Sequence, residues 1–293
     1  MSDFRISNDI HKGGDINTDT LNVANLNAIN ASISNLEIEG GASFDNVNVI
    51  EGGEYRIDDQ HLLSTPVNAA SVALTPSAKP ENQGIGAVAV GKSAGFNTQG
   101  SNSIAVGQQS GSVNQLAQAV AVGYIAGNSG QGSNAVAIGT FAGSTDQGNN
   151  SVAIGSQAGA TTQAINAVAV GVTAGLTTQG LGSVAVGQAA GQTSQGTNAV
   201  AIGNFSAVAT QGGAAVAVGN LAGNASQGQG SIAVGQSSGN LNQGAGSVAI
   251  GLSSGENNQG TDSVSIGNFA GVTSQGSNCV AVGNFAGNTG QLT

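Results

Sequence analysis

The chain has 293 residues, of which 49 are Gly, 7% are charged and 3% aromatic, with no Trp and a formal net charge of −10 at pH 7. Five basic residues against fifteen acidic ones exclude a surface that tracks a phosphate backbone, and with it nucleic acid as a partner. One cysteine, Cys279, excludes an intrachain disulfide and a thiolate metal cluster, and no run of about 18 apolar residues is present to insert into a membrane.

Residues 1–20 are polar and predict a flexible or attachment segment. The opening Met1, Ser2, Asp3, Phe4 and Arg5 lack the basic and apolar stretches of a secretory signal. Eleven of the fifteen acidic residues fall between Asp3 and Asp59, so the charge is concentrated ahead of the repeats.

Residues 21–64 predict a stalk or neck. Leu26, Ile29, Ile33 and Leu36 follow a 3-4-3 spacing compatible with a short coiled coil. The apolar run is barely two heptads and is interleaved with Asn, Ser and Ala. Val47 to Val49 and Tyr55 to Ile57 alternate as strands do, with Gly40, Gly41, Gly52 and Gly53 as turns. An intertwined, mostly β neck is the favoured reading, with a helix over residues 22–37 as the alternative. Residues 65–86 form a transition that holds Pro66, Pro76 and Pro80 and a degenerate first copy of the repeat, Ser71 to Gly86.

From Ala87 to the end, residues 87–293, one pattern recurs every 16 residues: A/S-V/I-A-V/I-G-x-x-A/S-G-x-x-x-Q-G-x-x. A fixed short period marks a solenoid, whose units bury their faces only by stacking on one another. Columns one to four alternate small and β-branched residues, the period-two signature of a strand. The column-five glycines, among them Gly91, Gly107, Gly123, Gly139 and Gly155, end that strand, and glycine in column nine marks a second turn. Column thirteen is Gln throughout: Gln99, Gln115, Gln131, Gln147, Gln163, Gln179, Gln195, Gln211, Gln227, Gln243, Gln259 and Gln275, with Gln83 and Gln291 in the flanking copies. Stacked amides of this kind can bond along an axis, so the Gln column and its glycines read as scaffold. The expected fold is all-β: a parallel β-solenoid, or β-roll, of about fourteen coils and roughly 65 Å at about 4.8 Å per coil.

Columns one and three accept only Ala, Ser or Cys279, whereas nearby variable columns admit Lys92, Tyr124 and Phe141. This restriction predicts a surface pressed against another, with Val and Ile inside each coil and the Ala and Ser columns at a seam between identical chains. A side-by-side cyclic homotrimer satisfies that arrangement most simply. Phe141, Phe205, Phe269 and Phe285 all occupy column seven and read as core or seam packing.

No catalytic constellation is present. His11 and His61 are the only histidines and neither lies in the repeats; His61, beside Asp58 and Asp59, reads as structural or solvated. Asp146, Glu256 and Asp262 occupy different columns, so they form no carboxylate pair of the kind glycosidases use. The expectation is a protein without catalysis, cofactor or metal.

Ser151 to Gly155, Ser183 to Gly187 and Ser247 to Gly251 read S-V-A-I-G or S-V-A-V-G, and in this they resemble the head repeat of trimeric autotransporter adhesins, the YadA-like type. The resemblance covers residues 71–293. It implies a left-handed parallel β-roll, trimerised side by side on a stalk, that projects from a surface and binds matrix or host-cell components. The strict period of 16 and the Gln column depart from that family's usual repeat. The neck resembles viral and phage fibre shafts; a fibre assembled inside a host cell accommodates the missing signal and membrane-anchor barrel, and so does an excised bacterial fragment. The functional expectation is therefore a fibre head on a virion or cell surface that recognises a receptor, matrix protein or glycan. The alternative is a flat ice- or glycan-binding solenoid, suggested by Thr161, Thr162, Thr177, Thr178, Thr193 and Ser194 stacking in successive coils.

Overall fold

The computed structural model describes residues 54–57, 60–64, 72–74 and 83–291. The segment 1–20 and the stretch 22–37, with its two readings, lie outside the described residues, as do His11 and the Val47 to Val49 strand.

The fold is a parallel β-solenoid with 16-residue spacing, all-β among the described residues, and it has two sheets rather than one. Columns two to four build a wide 16-stranded sheet. Strand Val152–Ile154 is typical: it pairs in parallel with Val136–Ile138 on one side and Val168–Val170 on the other, each residue opposite its equivalent one period away. Columns eleven to thirteen build a narrow 11-stranded sheet, as in Thr161–Gln163. The wide sheet begins with an antiparallel pair, Glu54–Ile57 with Gln60–Ser64, joined through Ser64 to Ala73 of the first parallel strand. His61 is opposite Arg56 in that pair.

About twelve turns carry the solenoid, against the fourteen coils expected. The difference lies at the ends of the narrow sheet. The degenerate first copy contributes there only the isolated bridge Gln83 to Gln99, and the last copies only the bridges Asn257 to Thr273 and Thr273 to Thr289.

The core inverts the expected assignment of columns. Ala87, Ala89, Ala119, Ala121, Ala153 and Ala185 of columns one and three are fully buried, as is the column-eight series Ala94, Ala126, Ala158 and Ala190. Cys279, in column one, is buried as well. The Val and Ile of columns two and four point out of the coil: Ile138, Ile154 and Ile202 are about 40% exposed. The small columns are indeed pressed against a surface, but that surface is the chain's own.

The reason is the width of the lumen. A Gln side chain crosses each coil, and little space is left beside it. At Gly159 (φ +51°) an added Cβ would sit 2.9 Å from the amide carbon of Gln163. An interior this narrow takes methyl groups, and the two further methyls of a valine have no room. Small-to-large alternation along the strand therefore sends the large residues outward.

The turns store the backbone cost. Gly155 adopts φ +124°, a region reserved to glycine, and a Cβ there would meet Gly171 O at 2.6 Å. Two residues further on, column seven takes a positive φ although it is never glycine: Ile125 at 58°, Phe141 at 56° and Thr173 at 54°.

Candidate interaction surface

A spine of amides runs through the lumen. From Gln115 to Gln275 each Gln Nε2 has two hydrogens and uses both. One goes to the carbonyl of the column-two residue 11 positions earlier, as in Gln147 Nε2 to Val136 O at 2.8 Å. The other goes to the next Gln Oε1, as in Gln147 Nε2 to Gln163 Oε1 at 3.1 Å and Gln163 Nε2 to Gln179 Oε1 at 3.0 Å. The first bond ties the narrow sheet to the wide one within a rung, and the second ties rung to rung. With both donors used over that span, a fully buried amide costs little there.

Gln83 stands outside the spine, its Nε2 and Oε1 both without a partner, and from Gln99 onward the spine breaks twice. No bond joins Gln99 to Gln115, and Gln115 Oε1 is left without a partner. Further along, Gln227 Nε2 reaches Ser231 O at 3.4 Å rather than Gln243, whose Oε1 is likewise unpartnered. The second break coincides with a change of backbone. Column twelve is left-handed at Thr98, Asn114, Asp146, Thr162, Asn242, Asn258 and Ser274, but not at Thr178, Ser194, Thr210 or Ser226. Asn, Asp and Gly accept that conformation readily, and most of the left-handed rungs carry one of them. At both boundaries the narrow sheet keeps a single paired position, Gln163 with Gln179 and Gln227 with Gln243. A shallow groove lined by Thr210, Ser226, Asn242, Gly228 and Gly244 lies at the second boundary.

Three surfaces face outward. The first is the outer face of the wide sheet, two uncharged ladders of Val and Ile running the length of the repeats. The second comprises its two flanking corners. Column seven bears Phe141 and Phe205, 36% and 38% exposed, so these rings are neither core nor covered in the chain alone. Tyr124 meets Phe141 edge-on at 5.4 Å, and Phe269 stacks on Phe285 at 5.1 Å. The third is the outer face of the narrow sheet, where Thr161, Thr162, Thr178, Thr193 and Ser194 are exposed.

Glu256 and Asp262 share the repeat that starts at Ser247 but stand in columns ten and sixteen, and Asp146 lies seven repeats earlier. Among the described residues no three His, Cys, Asp or Glu come together as metal ligands, and no helix is long and apolar enough to cross a membrane. Comparison with protein-family models, with curated proteins and with solved structures finds no match to the chain.

Sequence reasoning missed the narrow sheet. The signal was Gln itself: one long polar residue, invariant beside variable neighbours, is what a column pointing inward from a second wall looks like. It also missed the direction of the Val and Ile columns, for which the glycines beside Gln were the available clue.

Proposed function

We propose that this protein is a structural fibre head: identical solenoids assemble side by side through the outward Val and Ile face, and the assembly projects from a virion or cell to recognise a host surface. The observation that carries this reading is that uncovered apolar face. Contiguous exposed apolar area beyond a few hundred Å² marks an interaction surface. Rungs about 4.8 Å apart and three residues wide make a face of roughly 65 by 10 Å, about 650 Å² per copy. The flanking corners bring it toward the roughly 800 Å² per partner of a stable interface. Another copy of this chain is the occupant the face fits best, because an identical solenoid repeats at the same interval along its whole length.

A closed cyclic trimer remains the simplest assembly, now with its seam at columns two and four in place of the Ala and Ser columns. The exposed variable columns are left free to bind a receptor, matrix protein or glycan many times over, so that weak contacts add. Light scattering tests the assembly: a native mass of three times 28.1 kDa is expected, and a monomer would overturn it. Saturable binding of the trimer to host-cell surfaces tests the recognition.

The exposed hydroxyls of the narrow sheet favour a second reading, a flat lattice that binds ice or glycan. Thermal hysteresis lost in Thr178→Lys would support it, and none at millimolar protein would remove its ice-binding form.

A further inference from the structure

A repetitive face poses a problem of register. Along the wide sheet the second column varies only between Val and Ile, and the fourth among Val, Ile and Leu74. A slip of one residue is resisted because it turns the wrong side chains outward. A slip of one whole rung, about 4.8 Å, loses only the last rung of contact and otherwise meets the same ladder. The face therefore drives association without fixing its register.

The exposed apolar residues at the corners differ from rung to rung. Leu116, Ile165 and Leu181 stand at the corner that leads into column one, and Tyr124, Phe141 and Phe205 at the corner that follows column four; all six are 36–47% exposed. Their distribution within each repeat is uneven. Phe205 shares its repeat with Gly212 and Gly213 at the opposite corner, Phe141 with Gly148 and Asn149, and Tyr124 with Gly132 and Ser133. Conversely, Leu116 shares its repeat with Gln108 and Gln109, and Ile165 with Ser156 and Gln157. Val172 with Leu181 is the exception among the described residues, placing apolar side chains at both corners.

In a closed ring of parallel rods, rotation about the long axis brings one corner of each copy against the opposite corner of its neighbour. Resting on the self-association proposed above, we infer that these corner residues are register keys: each bulky corner sits against a small or polar one at the same height, and slipped pairings set bulk against bulk. Such keys specify one arrangement by penalising its competitors.

The test uses the full chain carrying Cys279→Ala and two exposed cysteines. Gly213 accepts a side chain, since an added Cβ would meet only Thr197 O at 3.5 Å. Under a mild oxidant, Asn204→Cys with Gly213→Cys is expected to give interchain disulfides, and Asn204→Cys with Ala245→Cys, two rungs away, at least tenfold fewer. Flattening the keys (Leu116→Ser, Tyr124→Ser, Phe141→Ser, Ile165→Ser and Leu181→Ser) is expected to let both pairs link in an oligomer of unchanged mass. Equal linking of both pairs with native corners, or of neither pair in an oligomer of native mass, overturns the keys. A monomer by light scattering removes instead the self-association on which they rest.

Discussion

Gln163 donates from one nitrogen to two different walls of the solenoid: to Val152 O at 2.8 Å across the lumen, and to Gln179 Oε1 at 3.0 Å on the next rung. Its own Oε1 accepts from Gln147 at 3.1 Å. A single side chain thus fixes the separation of the two sheets and the height of its neighbours. Ala columns alone bury too little apolar area to hold the sheets at that separation, and the backbone ladders, which pair rung with rung, do not cross the lumen.

Replacing this amide by a carboxyl, Gln163→Glu, makes stability depend on pH. Burial away from compensating charge raises the carboxyl pKa in the folded chain above its unfolded value of about 4.3. A group raised in the folded state contributes fully below the unfolded pKa, and its contribution is lost as pH rises through the folded pKa. The variant should lie about 1–2 kcal/mol below the wild type at pH 4, where its single O–H replaces only one of the amide's two donors, and fall about 3 kcal/mol or more below it at pH 8. Urea titrations of both proteins at the two pH values measure this, and a pH-independent difference would contradict it.

The inverted core makes opposite demands on adjacent residues. Ala153 is fully buried and Val152 points outward. Ala153→Val should therefore cost about 1–3 kcal/mol through overpacking. Val152→Ala should cost under about 1 kcal/mol in the isolated chain and appear instead as weaker association. Denaturation midpoints paired with native mass separate the two. The reverse ranking would restore Val and Ile to the interior.

How much of this was legible follows from which interactions have a period. The 16-residue spacing, the first strand and its terminating glycine repeat without slip, so Ser151 to Gly155 could be read directly. Which face of Val152–Ile154 looks inward could not be read from alternation, because a strand with small and large faces is ambiguous until the width of the lumen is known. That width is set by Gln163 reaching across to Val152 O, a contact between residues 11 apart with no signature of its own. The change of backbone at Thr178 was hidden for the opposite reason: Thr162 and Thr178 share residue type and column yet differ in φ, so neighbouring rungs decide the conformation.

Glycines of one sequence look differ sharply in tolerance. A Cβ at Gly155 would meet Gly171 O at 2.6 Å with φ at +124°, and backbone cannot yield as a side-chain end can. Gly155→Ala should cost more than about 3 kcal/mol, combining strain with a forced separation of rungs. Gly213→Ala meets nothing closer than 3.5 Å and should be neutral, or stabilising by about 0.5 kcal/mol through the unfolded state. Thermal melts of the two variants provide the comparison, and equal losses would mean that the close approach of rungs at column five is not real.

Column seven offers the converse test, in which strain is removed. Thr173 is β-branched and held at φ 54°, where its Cβ crowds the following carbonyl, and its amide is already committed to Ser156 O at 2.9 Å. Left-handed backbone costs a typical L-residue about 1–2 kcal/mol, and Asn bears less of that cost because its side chain bonds locally. Thr173→Asn keeps a polar residue at a half-buried corner and leaves the amide bond in place. It should raise stability by about 0.5–1 kcal/mol. The same change at Thr178, whose φ is not positive, removes a residue suited to extended backbone and should lower stability by a few tenths of a kcal/mol. Measured side by side in urea, the two threonines should move in opposite directions. If they move together, residue type and not backbone conformation governs tolerance along the solenoid.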